Sequence, residues 1–264
     1  MKELILKWLF ACGLNVTRHI ELAEVREFVR KLRPQDCGME LIRIGTDGDG
    51  GYLIPDDLEG IKYCFSPGVS TKSDFENQLA DRGIRSFLAD YSVDYPSINR
   101  PEFTFDKKFL GAADRQEFFT LGTWKNKHLA GYEGDLILQM DIEGFEYQVL
   151  LNASADLLKQ FRIVVIEFHF LNRIFDRFTF GIISSCFDKL LEHFHLVHIH
   201  PNNCCGCVKK GNIEIPGVIE CTFIRKDRAS YTQPQTKFPH RLDVTNVLTN
   251  PPLPLPKCWY AERI

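Results

Sequence analysis

Apolar residues recur at helical spacing from the N-terminus, and Pro34 stops the pattern, which predicts helix over residues 1–33. A short strand-like run (Leu41, Ile42, Ile44) leads into the glycine-rich stretch Gly45-Thr46-Asp47-Gly48-Asp49-Gly50-Gly51-Tyr52. From Lys62 onward the pattern alternates between strand and helix. Strands are predicted at Lys62–Ser66, Ile84–Asp90, Leu136–Asp141, Ile163–Phe168, Leu196–His200 and Ile219–Arg225, with a weaker one at Glu117–Leu121. Helices are predicted at Ser73–Arg82, from the acidic turn after Asp141 through Leu150, and from about Phe180 to Phe194. Strands separated by helices imply a mostly parallel sheet covered on both faces. No helical pattern lies between the last two strands, so an antiparallel final pair is expected. The tail from Ser230 carries Pro234, Pro239, Pro251, Pro252, Pro254 and Pro256 and reads as an extended strap. The division expected is a helical extension over 1–36, a central domain over 37–227 and a C-terminal strap over 228–264.

Composition acts mainly by exclusion. At 44% hydrophobic and 25% charged residues the chain is neither disordered nor fibrous. A net charge of −3 with no polybasic run argues against a nucleic-acid partner. The most apolar N-terminal stretch, Leu4–Leu14, contains Lys7 and is shorter than the roughly 20 residues a bilayer crossing needs. It reads as an amphipathic helix on the domain surface or at a homo-oligomer contact, and no transmembrane segment is expected. Nine cysteines, an odd number with several inside apolar runs, fit reduced thiols and a cytoplasmic location. His198, His200, Cys204, Cys205 and Cys207 invite a zinc reading. A second ligand arm is missing, so a hairpin loop at a site rim is expected instead. The loop Asp47–Tyr52 fails as a calcium loop, because Gly51, Tyr52 and Leu58 stand at ligand or turn positions, and it reads as a hinge or substrate-side turn.

Ligands of such sheets bind where the strands end, at the point where the strand order reverses. Four strand ends carry suitable residues: Ser66-Pro67-Gly68-Val69-Ser70, Ala89-Asp90-Tyr91, Met140-Asp141-Ile142-Glu143-Gly144 and Ile166-Glu167-Phe168-His169. The small-residue turn at Gly68 lets backbone approach a ligand, and the helix after it has Asp74 and Glu76 in its first turn. Asp90 stands 22 residues beyond Gly68, the spacing at which a carboxylate accepts both ribose hydroxyls of a nucleoside. No G-x-x-x-x-G-K-[ST] loop occurs, which argues against a nucleoside triphosphate.

The most specific segment is Gly134–Leu150, in which an apolar strand ends in Asp141-Ile142-Glu143-Gly144-Phe145-Glu146. It resembles the signature of FkbM-type S-adenosylmethionine-dependent methyltransferases. Asp49–Tyr52, the Gly68 turn, Ile166–His169 and His198–Asn203 agree with that family in order, over roughly residues 40 to 227. The chain looks closest to members from bacterial surface-glycan gene sets, which methylate sugar hydroxyls. The resemblance implies a class I methyltransferase (Rossmann-like) α/β fold with a seven-stranded, mostly parallel sheet, helices on both faces and an antiparallel last strand. It also implies that the turn of Ser66, Gly68, Val69 and Ser70 faces the methionine part of S-adenosyl-L-methionine. Asp90 would hold the ribose, with Glu76, Tyr91 and Asp141 nearby. The first turn departs from the usual class I pattern, which has two or three glycines after an acidic residue, since here only Gly68 is present.

Transfer to a sugar or nucleotide-sugar hydroxyl needs in-line alignment and a group that takes or weakens the hydroxyl proton. Candidates are Glu143, His169, Asp141, Glu167 and His200, with Asp141 and Glu167 able to chelate Mg²⁺ or Mn²⁺ through oxygen. The rival readings are a metal-dependent hydrolase built on the histidine–acid cluster and a non-catalytic binding module of the same fold.

Overall fold

The computed structural model describes residues 1–14, 16–229 and 231–261. In chain order the elements are α1 (Lys2–Ala11), α2 (Leu22–Lys31), β1 (Leu41–Gly45), β2 (Gly51–Pro55), β3 (Tyr63–Pro67), α3 (Asp74–Ala80), β4 (Arg85–Ala89) and β5 (Phe103–Asp106). They continue as α4 (Leu121–Leu129), β6 (Leu136–Met140), α5 (Glu146–Asn152), α6 (Ala155–Lys159), β7 (Phe161–Phe168), α7 (Arg177–His193), β8 (Phe194–Lys210) and β9 (Ile213–Arg225). Seven strands form one sheet in the order β8-β9-β7-β6-β3-β4-β5. Strands β3 to β7 pair in parallel, and β9 runs antiparallel to both β7 and β8. The expected mostly parallel α/β sheet with an antiparallel last strand is borne out.

Every residue of β6 and β7 is buried, as continuous apolar runs require when both faces are covered. Strand alternation divides the core. Phe65, Leu138, Val164 and Ile166 belong to a cluster with α2, α4, α5 and α7, while Cys64, Ile137, Ile163 and Val165 face α3 and the β1–β2 hairpin. Helix α7 buries Ile183, Cys186, Phe187 and Leu190, a helical stripe, and starts at Asp176, whose carboxylate accepts the Thr179 N–H at 2.8 Å. The tail returns to the core: Leu255, Cys258 and Trp259 are buried, and the Trp259 indole donates to the Glu214 carbonyl at 3.0 Å.

Three sequence expectations need correction. Residues 1–33 are two helices, because the chain turns at Gly13, which has φ +76°; α1 buries nothing, whereas α2 buries Val25, Phe28 and Val29. The weak strand at Glu117–Leu121 is only a two-residue pairing of Phe118–Phe119 with Phe109–Leu110, and Thr120 caps α4 from there. The third strand on that side is instead β5, an edge strand whose half-buried residues give no strong apolar signal. Finally, the His–Cys segment is not a loop. It lies within β8, which continues to Lys210 and turns at Gly211 into β9. Among the described residues no helix is long and apolar enough to cross a membrane.

The strand order reverses between β3 and β6, and there the backbones nearly touch. Gly68 has φ +89°, and a Cβ at that position would fall on the carbonyl oxygen of Asp141. The Asp141 N–H donates to the Pro67 carbonyl at 3.2 Å. The glycine is thus demanded by the neighbouring strand, independently of any ligand. Gly68→Ala is expected to cost about 3 kcal/mol or more of stability, as overpacking against backbone does. A denaturant midpoint unchanged from wild type would contradict this close approach.

Candidate active site

The carboxyl ends of β3, β4 and β6 open onto two cavities that share Gly68, Ser70 and Asp141. The larger, about 400 Å³, has an apolar wall of Phe109, Leu110, Phe118, Ile142 and Phe145, and Asp90 at its polar side. The smaller, about 100 Å³, is bounded by the β1–β2 turn at Asp49 and Gly50, with Tyr52, Val69, Glu76 and Gln139. Ser66 is buried beneath it, its hydroxyl held between the Glu76 carboxyl and Gln139 Oε1, the latter at 2.6 Å. Burial pushes Glu76 up to about 7. Tyr91 is exposed, packs at a tilt against Phe109 with ring centroids 5.4 Å apart, and lies outside both cavity linings.

Asp90 is buried at the end of β4. Its Oδ2 accepts the Ser70 N–H at 2.8 Å, and its Oδ1 accepts the Ser92 N–H at 2.8 Å and the Ser92 hydroxyl at 2.6 Å. A carboxylate has about four acceptor positions. One therefore remains open, on Oδ2, and contact with two ribose hydroxyls requires the rotatable Ser92 hydroxyl to turn away.

At the ends of β6 and β7 the expected acids converge. His169 Nε2 lies 3.5 Å from Glu143 Oε2, 3.6 Å from Glu167 Oε1 and 3.8 Å from Asp141 Oδ1. Glu143 sits at the rim with its side chain 85% exposed, whereas Glu167 is buried. Among the described residues, the non-glycine residues with positive φ are Ser70, Glu143 and Phe170, which follow β3, β6 and β7 respectively. Backbone strain of this kind persists only where surrounding packing holds it, and it clusters at functional sites.

The group that organises this cluster is Glu146, which the sequence reading quoted within its motif without giving it a role. Fully buried in the first turn of α5, its Oε1 accepts the Ile142 N–H at 3.1 Å, the Gly144 N–H at 3.0 Å and His169 Nδ1 at 3.1 Å. It thereby shapes the Ile142–Gly144 turn, fixes the Nδ1–H tautomer and directs Nε2 at the other acids. The Tyr147 hydroxyl holds the His169 carbonyl at 2.7 Å. Spacing could have raised the question, since an acid one turn into a helix either faces water or turns inward, but only packing decides which.

His200 is not brought to this cluster. It lies two strands away, opposite Glu220 of β9, which in turn faces Glu167. Its Nε2 meets Asn246 Oδ1 at 3.1 Å, and it lines a separate cavity of about 230 Å³ with Asp243 and the tail prolines.

The electrostatics follow from burial. It raises Asp141 to about 7, with His169 opposing and Glu143 and Glu146 adding to the rise. Glu167 is raised well above the usual carboxylate range by burial first and by Asp141 and Glu220 next. For His169, burial depresses basicity, but the hydrogen bond to Glu146 and the charges of Glu146, Asp141 and Glu143 prevail and raise it. Asp141 Oδ1, Glu146 Oε2 and Glu167 Oε2 are buried without a hydrogen-bond partner among the described residues. Ligand atoms of Asp141, Glu167 and His169 lie within 4.8 Å of one another.

Residues 119–195 match the methyltransferase FkbM domain. The resemblance read from the sequence is borne out over this span, and Asp141, Glu143, Glu146, Glu167 and His169 all fall inside the FkbM segment, whereas Gly68 and Asp90 precede it. The match supports methyl transfer as the class of activity and a transferase enzyme. No curated protein matches the chain. Among solved structures, one from E. coli described as a prophage-encoded DNA modification methyltransferase aligns at 11% identity and a TM-score of 0.40. That alignment covers 63% of this chain and 47% of the other, so the chain spans about half that protein's length.

A carboxyl with a raised folded-state pKa keeps a proton that the unfolded chain has lost, so stability falls as pH rises from about 4 through about 7. Asp141→Asn should therefore leave stability near wild type at pH 4 and raise it at pH 8 by about 1 kcal/mol or more. Denaturant titrations at the two pH values check this, and an offset independent of pH would show that Asp141 is not a strained acid.

Proposed function

We propose that the protein is a class I S-adenosylmethionine-dependent O-methyltransferase acting on a sugar hydroxyl of a surface polysaccharide or its nucleotide-linked precursor. The observation that carries this reading is the meeting, at Asp141 and Glu143, of a cavity that has an apolar wall and Asp90 at its polar side with a histidine held by a buried carboxylate. The larger cavity suits adenosine: an apolar wall fits the flat base, and Asp90 offers its open oxygen to the ribose. Gly68, Val69 and Ser70 line the smaller cavity, where the methionine part would lie. The bound cofactor supplies an electrophilic methyl group on a sulfonium.

The chain's own residues then have separable tasks. Gly68 and Ser70 bring backbone close to the donor, and Asp90 orients it. Glu146 takes the Nδ1 proton of His169 in a hydrogen bond, which leaves Nε2 as the acceptor for the sugar hydroxyl proton. The raised basicity of His169 suits it to that proton, and exposed Glu143 stands between that imidazole and the larger cavity, which it also lines.

A second reading adds a divalent cation, favoured by the clustered donors of Asp141, Glu167 and His169 and by the unpartnered oxygens there. These residues would hold Mg²⁺ or Mn²⁺, which supplies Lewis acidity toward a hydroxyl.

Asp90→Ala is expected to weaken S-adenosylmethionine binding by about 1.5–3 kcal/mol, the scale of a charge-assisted hydrogen bond, as read by calorimetry. His169→Ala should cut turnover by about 10²–10⁴ with cofactor affinity nearly intact, and Glu143→Gln should lower it in the same sense. Labelled S-adenosylmethionine with a panel of nucleotide sugars and glycan fragments, read by mass spectrometry, identifies the acceptor. Unchanged affinity in Asp90→Ala removes the nucleoside assignment, and full activity in both cluster variants removes the cluster from the chemistry. Loss of activity with chelator and recovery with Mg²⁺ or Mn²⁺ decides for the cation.

A further inference from the structure

Strand β8 leaves its ladder with β9 between Asn202 and Cys207, and Gly206 within that gap has φ +63°. Cys204 and Cys205 are exposed there, with their sulfur atoms 2.6 Å apart. The residues on the N-terminal side are anchored. Asn203 Nδ2 donates to the carbonyls of Val247 and Pro251 at 2.9 and 3.1 Å, and its Oδ1 accepts the Val247 N–H at 2.8 Å. Asn202 is buried and bridges two groups: its Oδ1 accepts the Cys204 N–H at 2.9 Å, and its Nδ2 donates to Glu167 Oε1 at 3.1 Å. A neighbouring thiol pair is thus two hydrogen bonds from a carboxyl of the acid cluster.

We propose that Cys204–Cys205 is a redox-modification site, a vicinal dithiol that a peroxide closes to a disulfide, and that closure is transmitted through Asn202 to Glu167. The thiolate of one cysteine attacks one peroxide oxygen, the O–O bond breaks, and a sulfenic acid and hydroxide form. The other sulfur then attacks the sulfenic sulfur, its proton leaves with the displaced hydroxyl as water, and two thiols have been oxidised as one peroxide is reduced to two waters. Both thiols are exposed, so a peroxide reaches either one while the other stands beside it to resolve the sulfenic acid.

The link to Glu167 is mechanical. Adjacent Cα atoms stand about 3.8 Å apart across a trans peptide, below the usual 4.4–6.8 Å of a disulfide. Closing the ring therefore twists the Cys204–Cys205 peptide, and the unpaired stretch ending at Gly206 gives it room. Because Asn203 is pinned, the twist falls on the Cys204 N–H and frees Asn202. Strain of this kind keeps the bond easily reduced, as a reversible device needs. Any effect on turnover rests on the methyl-transfer reading, while the modification and its effect on Glu167 do not.

The test treats the full chain with a small excess of hydrogen peroxide and maps peptides without reduction. The peptide holding Cys204 and Cys205 should lose about 2 Da, regain it with dithiothreitol, and lose nothing in Cys205→Ser. In the oxidised protein the Cys204 amide should exchange faster and the ¹⁵N-labelled Asn202 side-chain amide should shift, because the hydrogen bonds that join Cys204, Asn202 and Glu167 are released. Asn202→Ala in the reduced state should reproduce the faster exchange of the Cys204 amide. A bond between Cys207 and Cys258 instead, or no mass loss, overturns the site. A disulfide that leaves the Asn202 side-chain amide and the exchange of the Cys204 amide unchanged overturns the coupling.

Discussion

The passage of Gly68 across the Asp141 carbonyl sets the distance between β3 and β6, and the rest of the site is built outward from that contact. No side chain fits between the two strand ends, so the cavities on either side share the same three residues instead of being separated by a wall. The apolar cavity bounded by Asp90 and the acid cluster around His169 therefore meet at Asp141 and Glu143. A looser junction would still leave a seven-stranded sheet, but one whose apolar cavity and acid cluster were apart.

Holding Asp141, Glu143, Glu146 and Glu167 around one imidazole works against stability. Glu146 Oε1 takes three donors, but Glu146 Oε2, Asp141 Oδ1 and Glu167 Oε2 are buried without partners among the described residues, and Asp141 and Glu167 are pushed toward their neutral forms. The core offsets this: β6 and β7 are wholly buried and pinned between two apolar clusters. Unpaired buried acids inside so complete a frame are what a site retains when differential charge stabilisation is its task.

The tail extends the polar row beyond the cluster. Glu167, Glu220 and His200 stand side by side across β7, β9 and β8, and Asn246 of the tail closes the row by donating to Glu220 at 2.5 Å and meeting His200. Asp243 sits against His198 at 2.8 Å, and the two histidines hold it well below the usual carboxylate range despite burial. His200 and the proline-rich strap thus form a support on the flank of the site. The pattern of histidines after an apolar strand suggested chemistry, but their partners come from residues more than 40 positions away, which no local spacing reveals.

Local pattern alone determined the alternation of strands and helices, the parallel sheet and its antiparallel last strand, because buried strands read as uninterrupted apolar runs such as Phe161–Phe168. It also determined that Asp141, Glu143, Glu167 and His169 converge, since neighbouring parallel strands end on one edge. Three things were decided only by tertiary structure. The edge strand Phe103–Asp106 escaped because a half-buried strand has a weak signal, and helix 1–33 divided because Gly13 turns the chain where periodicity alone continues. The inward turn of Glu146 depended on backbone donors at Ile142 and Gly144 and on an imidazole 23 residues later. Sequence spacing orders groups along one strand or helix; which polar atom finds which partner across the sheet is settled by the cost of leaving either one unpaired.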